Sequence, residues 1–382
     1  MESGVVSNSR FEVDYCVSLS DNQFIEVVAR DIGIEQTVEI PEDCIPETHW
    51  KMKIIGVVER IVSVDEMRKK YLVTISYPSD ITSYSVTQFL NTLFGNISLK
   101  NNIRIDDVRL SQSMMKIFPG PRYGIDGIRA LLGVQGRPLT CTALKPVGLS
   151  SGDLARMAYQ FALGGADLIK DDHGITNQPY SPFEERIARV QDAIDEANTK
   201  TGKITIYCPM LNDEPEELKR QIDICVKRNV RGALAAPFLI GAGAFVSLRK
   251  NADLVLLAHP ALAGTFFHSK DHGATPAFLL GVFFRLIGAD VSIFPNAGGR
   301  FTFTQEECDN LCMALRIPKE NIKSSFPSPA GGMRIERVAE MIRHYGNNTV
   351  LLIGGNIQQL NPDVSVGTKL FLNEVEKNSL KE

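Results

Sequence analysis

From about residue 138 onward the chain alternates short apolar runs with longer stretches in which apolar positions recur every three or four residues. The runs are PLTCTALKP (138–146), ADLIKDD (166–172), ITIYCP (204–209), RGALAAP (231–237), DLVLLAHP (253–260), DVSIFP (290–295), NIKSSFP (321–327) and TVLLIGG (349–355). Most are apolar on successive positions, as a strand covered on both faces must be, and each is too short for an independent helix. Between them, stretches such as SGDLARMAYQFALGG, SPFEERIARVQDAIDEANTKTG, EPEELKRQIDICVKRN and MRIERVAEMIRHYG read as amphipathic helices that end at Gly or Asn. Eight strand and helix repeats over about 240 residues match the count and length of a closed parallel (β/α)8 TIM barrel. An open doubly wound sheet is the rival that shares this alternation.

The preceding region has no repeat. FEVDYCVSL, WKMKIIGVVERIVSVD, YLVTISYPS and IRIDDVRL are strand-like, and SVTQFLNTLFGN is helical. This mixture predicts an α+β domain of the ferredoxin-like kind with an antiparallel sheet. The turn-rich segment Phe118-Pro119-Gly120-Pro121-Arg122-Tyr123-Gly124 sets the boundary, giving domains of residues 1–124 and 125–382.

Composition narrows the function classes. A net charge of −4 with both signs interspersed leaves no basic footprint for nucleic acid or for an anionic membrane. The seven cysteines are scattered and never spaced CxxC, which reads as a reduced cytoplasmic chain. The opening MESGVVSNSRFEVDY lacks a charged-then-apolar leader pattern, and no apolar stretch reaches membrane-spanning length.

The strand ends carry the candidate chemistry, and a barrel gathers them at one C-terminal mouth. They hold Lys145, then Lys170 with Asp171 and Asp172, then His259, then the pairs Gly331-Gly332 and Gly354-Gly355. Lys170-Asp171-Asp172-His173 reads either as a solvated polar strand end or as a site. In an extended segment alternate residues share a side, so Lys170 and Asp172 point together and His173 follows as the chain turns at Gly174. A lysine held among carboxylates can take up carbon dioxide as a carbamate, which turns a cation into an oxygen ligand for a hard divalent ion such as magnesium. Lys145 is either a rim lysine with a buried stem or, crowded by another cation, a usable base or acid. His259 is either a hydrogen-bonded rim histidine or a substrate-contacting, proton-moving group. His268 and His272 sit in a polar loop and have weaker claims. The two glycine pairs suit backbone binding of a phosphate by the last two barrel loops.

At these residues the chain resembles the large subunit of ribulose-bisphosphate carboxylase (RuBisCO), and in particular the non-carboxylating RuBisCO-like, or form IV, proteins. The stretch TALKPVGLSSGDLARMAYQFALGGADLIKDDHGITNQPYSPFEER is similar to the family's KPxxGLS motif, its GG-x-D-x-x-KDDE motif and its NQPF-like turn with a downstream arginine. YLVTISYPSD and LFGN resemble a strand and loop of the first domain, and SPAGGM and LLIGGN resemble the two phosphate loops. The resemblance implies that Lys170 is carboxylated and binds Mg2+ with Asp172 and the following residue, His173. It implies that Lys145 is a catalytic lysine, that His259 contacts substrate, and that Gly331, Gly332, Gly354 and Gly355 bind phosphate. It also implies a homodimer in which the first domain covers the partner's barrel mouth with Asn96 and Glu35.

The departures are specific. The family motif KDDE is KDDH here, so His173 replaces an oxygen ligand. Pro260 stands where the carboxylase has a phosphate-binding arginine, and after the sixth strand PNAGGRF offers Arg300 where the carboxylase lid has a lysine. The expected activity is therefore metal-dependent enolisation of a phosphorylated ketose or related keto compound, followed by tautomerisation, 1,3-isomerisation or decarboxylation. The alternatives are carboxylation of ribulose bisphosphate, against which the departures speak, and a silent barrel with a binding or regulatory role.

Overall fold

The computed structural model describes residues 8–51 and 53–380. Residues 1–7 of the stretch inspected for a leader lie outside the described residues. The chain forms two compact units, one of residues up to Phe118 together with Ala263–Val282, the other of Pro119–Leu262 and Phe283–Glu382.

In the first unit β1 (Arg10–Ser18), β2 (Val57–Asp65), β3 (Lys70–Pro78) and β4 (Ile103–Arg109) lie in the antiparallel order β4-β1-β3-β2. The helices Ile25–Glu35 and Val86–Phe94 connect β1 to β2 and β3 to β4. This β-α-β-β-α-β order is the ferredoxin-like arrangement. The period-2 pattern decides which face is covered: Phe11, Val13 and Tyr15 on β1 stand opposite Tyr77, Ile75 and Val73 on β3, and all six are fully buried. The strand-like reading of residues 50–65 is too long at its start. Glu47–Lys51 is a short helix, Met52 lies outside the described residues, and β2 begins at Val57.

In the second unit β5 (Leu139–Leu144), β6 (Leu168–Asp171), β7 (Ile206–Cys208), β8 (Gly232–Ala235) and β9 (Val255–Ala258) follow in turn. The two-residue strand β10 (Gly273–Ala274) belongs to the first unit, where it pairs in parallel with β4. The barrel resumes with β11 (Val291–Pro295), β12 (Phe326–Ala330) and β13 (Val350–Leu352). Two parallel four-stranded sheets, β13-β5-β6-β7 and β8-β9-β11-β12, join through the bridge between Met210 and Leu234, and β12 lies beside β13 to close the cylinder. Leu139, Cys141, Leu168, Cys208, Leu257, Ile293, Phe326 and Val350 fill its interior. Each large apolar side chain so buried contributes about 1.5–3 kcal/mol as an upper bound.

Local signals set the helix ends. Ser150 and Asp153 form a capping box at the start of Ser151–Leu163, and Pro215 opens Pro215–Lys227. Gly202, at φ +66°, closes Phe183–Thr201.

Two boundaries differ from the sequence reading. The contact division falls at Phe118, and Ala263–Val282 joins the first unit although the repeat pattern assigns it to the barrel. A two-residue strand is too short to show alternation, so nothing in the pattern marks this excursion. The seventh strand is FPSPA at 326–330, later than NIKSSFP at 321–327. Pro327 and Pro329 remove ladder donors and read as turn residues, yet both pair in parallel with β11. All seven cysteines are free thiols. Among the described residues no helix is long and apolar enough to cross a membrane.

Candidate active site

The strand period carries four side chains from three strands into the barrel mouth. Leu139 and Cys141 face the interior, and two steps further each time the same side of the chain presents Ala143 and then Lys145. Leu168 leads in the same way to Lys170 and Asp172, and Val255 and Leu257 lead to His259. The structure therefore brings Lys145, Lys170, Asp172, His173 and His259 together.

Asp172 is the hub. One carboxylate oxygen pairs with Lys145 Nζ at 2.7 Å. The other accepts from the Gly174 N–H at 3.0 Å and lies 3.4 Å from His173 Nδ1. Burial alone drives its pKa up, but the Lys145 ammonium and the Gly174 N–H outweigh burial and hold it below the usual value, so it stays ionised. Lys145 keeps 39% of its side chain exposed, against 9% for Asp172. Asp172 is thus sealed at the base of the site and Lys145 is open to solvent.

Lys170 is only 4% exposed and donates to the Asp171 carbonyl oxygen at 3.1 Å. Burial lowers its pKa, and the nearby Lys145 charge adds to that, although Asp172 and Asp171 pull the other way. This favours the neutral amine, the form that attacks carbon dioxide. As a free amine it donates hydrogen bonds and offers a divalent ion no oxygen.

His259 accepts the Ala261 N–H on Nδ1 at 3.1 Å, which leaves the ring proton on Nε2. Burial, with the Lys170 charge behind it, pushes its pKa down to about 2. The imidazole is thus a neutral N–H donor at any working pH. His173 stacks on it, with ring centroids 4.4 Å apart and 13° between planes. Burial also lowers the His173 pKa against the opposing pull of Asp172.

The glycine loops are built differently from each other. Gly331 and Gly332 sit at φ +92° and +83°, where a side chain is strained. The Gly331 carbonyl accepts the Arg300 N–H at 3.0 Å, and a Cβ at Gly332 would lie 2.9 Å from Arg300 Cγ, so the loops after β11 and β12 are laced together. Arg300 lies over the Phe301 ring at 5.4 Å. A Cβ on Gly354 or Gly355 would meet nothing within 4 Å and neither has positive φ, so crowding does not require glycine there, although Gly354 at φ −101° and ψ −108° lies outside the usual α and β regions. Gly355 opens the short helix Gly355–Leu360.

Four residues outside the site expected from the sequence hold this arrangement. Arg186, fully buried, pairs with Asp171 at 3.1 Å and donates to the carbonyls of Ser181 and Thr176, pinning the loop after β6. The Tyr207 hydroxyl and the Met210 N–H also donate to Asp171, which therefore has no free oxygen to offer the mouth. Gln358 donates to the Lys145 carbonyl at 3.2 Å, tying the last loop to the first strand end. Only Arg186 had a signal, its place after the NQPY turn; an isolated glutamine in a short helix has none. Asn96 and Glu35 lie in the first unit, where Asn96 Nδ2 donates to Glu35 Oε1 at 3.2 Å.

A closed parallel barrel with two lysines, a carboxylate and two imidazoles at its C-terminal mouth, in a chain that also carries a ferredoxin-like domain, defines the class. Residues 124–359 match the family of the ribulose bisphosphate carboxylase large chain, catalytic domain, and the chain belongs to that family. Within it the chain groups with the RuBisCO-like, form IV proteins. It is 38% identical to the 5-methylthioribulose-1-phosphate isomerase of Rhodospirillum rubrum over 92% of each chain. It is 34% identical to the 2,3-diketo-5-methylthiopentyl-1-phosphate enolase of Geobacillus thermodenitrificans, over 79% of this chain and 74% of that one. The crystal structure of a RuBisCO-like protein from Rhodopseudomonas palustris superposes with a TM-score of 0.88 at 38% identity, covering 98% of this chain and 100% of that one. These relatives support a RuBisCO-like enolase or isomerase acting on a phosphorylated sugar.

Proposed function

We propose that the protein enolises a phosphorylated ketose and completes a 1,3-isomerisation or tautomerisation, with thio-substituted pentulose phosphates as the first substrates to try. The observation that carries this reading is Lys145 paired at 2.7 Å with Asp172 beside the neutral, N–H-presenting His259. Enolisation needs a group that moves a proton at carbon and a donor aimed at the oxygen that becomes negative. Lys145 supplies the first: as the free amine it takes the proton from the carbon beside the carbonyl, and the ammonium so formed returns that proton to the other carbon of the enolate. His259 Nε2–H supplies the second, as a neutral imidazole whose low pKa keeps it a hydrogen-bond donor. The backbone of Gly331, Gly332, Gly354 and Gly355, with Arg300 close by, anchors the phosphate and fixes which carbon faces Lys145.

A divalent cation belongs to this reading. Asp172 and His173 lie side by side, and Lys170 becomes an oxygen donor as its carbamate, so these three would hold the ion. A bound cation polarises the carbonyl and stabilises the developing enolate charge. Asn96 and Glu35, exposed as a hydrogen-bonded pair, complete the mouth of a second copy in a homodimer.

The test is proton exchange in deuterium oxide, followed by 1H NMR, on 5-methylthioribulose 1-phosphate and 2,3-diketo-5-methylthiopentyl 1-phosphate, with bicarbonate and divalent metal present. Loss of the signal at the carbon beside the carbonyl, with formation of an isomer, is the expected result. No exchange on either compound would favour a silent barrel, and fixation of carbon dioxide on ribulose bisphosphate would favour a carboxylase.

A further inference from the structure

The donor set at the end of β6 contains nitrogen where the family motif has oxygen, and the geometry shows that this nitrogen is placed to coordinate. His173 Nδ1 is 3.4 Å from Asp172 Oδ1. Two donors bound about 2.1 Å from one ion, in adjacent positions, stand roughly 3 Å apart, so a few tenths of an ångström of closure lets this pair share a cation. Both donors are already oriented. The His173 ring is held against His259 by stacking, and Asp172 Oδ1 by the Gly174 N–H. Lys145 engages the opposite oxygen, Oδ2, which leaves the Oδ1 side facing the imidazole. Among the described residues no three His, Cys, Asp or Glu side chains could hold a metal together, and the third protein donor is the Lys170 carbamate of the reading above. In that respect the inference rests on the function proposed above.

We propose that this site selects a borderline first-row divalent cation, of the cobalt or zinc kind, over magnesium. Magnesium requires near-octahedral oxygen and gives up water reluctantly, whereas an imidazole beside carboxylate-type oxygens suits the later divalent ions, whose affinities for mixed nitrogen and oxygen sites exceed that of magnesium. His173 is the single side chain responsible.

The experiment treats the full-length protein with chelator, equilibrates it with bicarbonate and equal concentrations of Mg2+ and Co2+, removes free metal by gel filtration and measures retained metal by elemental analysis. The expected result is a cobalt to magnesium ratio of about ten or more, with a paramagnetically shifted, exchangeable imidazole N–H resonance in the 1H NMR spectrum. His173→Glu should lower that ratio by about tenfold or more. Equal retention of magnesium, retention of neither ion, cobalt without the shifted imidazole proton, or a folded H173E with an unchanged ratio would each overturn the proposal. The wild-type resonance decides the matter even if H173E does not fold. Cobalt retention with that resonance but no proton exchange on any ketose phosphate removes the enolase reading and leaves this one standing. Proton exchange by a protein that retains no cation does the reverse.

Discussion

Asp171 and Asp172 are adjacent in sequence and opposite in purpose. Asp171 faces away from the barrel mouth, fully buried, with its oxygens taken by Arg186, Tyr207 and the Met210 N–H. Asp172 faces the mouth and is shared between a lysine and an imidazole that solvent reaches. On the proposed function, one strand end separates stability from chemistry. Side chains on the outer side fasten the loop to the barrel wall, and side chains on the inner side remain free to react.

Asp171→Ala should have the largest effect. It leaves the Arg186 guanidinium buried without its partner, at a cost of about 3–5 kcal/mol, visible as a lowered urea midpoint. A loss below about 1 kcal/mol would mean that the outer pair does not fasten the loop. Lys145→Met should produce the converse pattern. Its ion pair is more than a third exposed, so stability should change by about 1 kcal/mol or less, while proton exchange should fall by about 10²–10⁴-fold. Parallel loss of stability and exchange in both variants would erase the distinction between the two sides.

The pH dependence of unfolding sharpens the comparison further. His259 has a folded pKa of about 2 against an ordinary value of 6.5, because burial excludes its charged form. Its unfolded form therefore binds a proton that the native form refuses. Its contribution is intact above pH 6.5 and is lost as pH falls toward the folded value, with a slope of up to about 1.4 kcal/mol per pH unit. Denaturant titrations at stepped pH should show a shallower decline for His259→Gln than for the wild type, and equal slopes would show that His259 is not buried in this way. The smallest effect belongs to Gln358→Ala, which removes one hydrogen bond to the Lys145 carbonyl. It should change stability by about 1 kcal/mol or less and reduce exchange less than Lys145→Met does.

The barrel was legible in the sequence because strands buried on both faces leave uninterrupted apolar runs, and the site was legible because its side chains stand one or two residues beyond those runs. What escaped follows from the same physics. β12 carries two prolines that imitate a turn, and β10 is too short to alternate. Arg186, in the first turn of an amphipathic helix, is marked in the sequence only by its place after the NQPY turn, and its burial against Asp171 appears only in the fold. Motif spacing named Asp172 and His173 as neighbours, but the stack of His173 on His259 joins strand ends about 86 residues apart, and only closure of the barrel brings them together. The sequence also left open which protons the histidine carries. The Ala261 N–H, donated to Nδ1, leaves the His259 ring proton on Nε2.

The central claim is that the inner side of this strand end moves a proton at carbon and that Lys145 is the group that moves it. The direct measurement is the rate of deuterium incorporation from solvent into 5-methylthioribulose 1-phosphate by the wild type and by Lys145→Met, with both shown to unfold at the same urea concentration. The account predicts incorporation beside the carbonyl by the wild type and its near-complete loss in the variant. Equal incorporation by the two proteins, or none by the wild type on this substrate and its diketo counterpart, would contradict it.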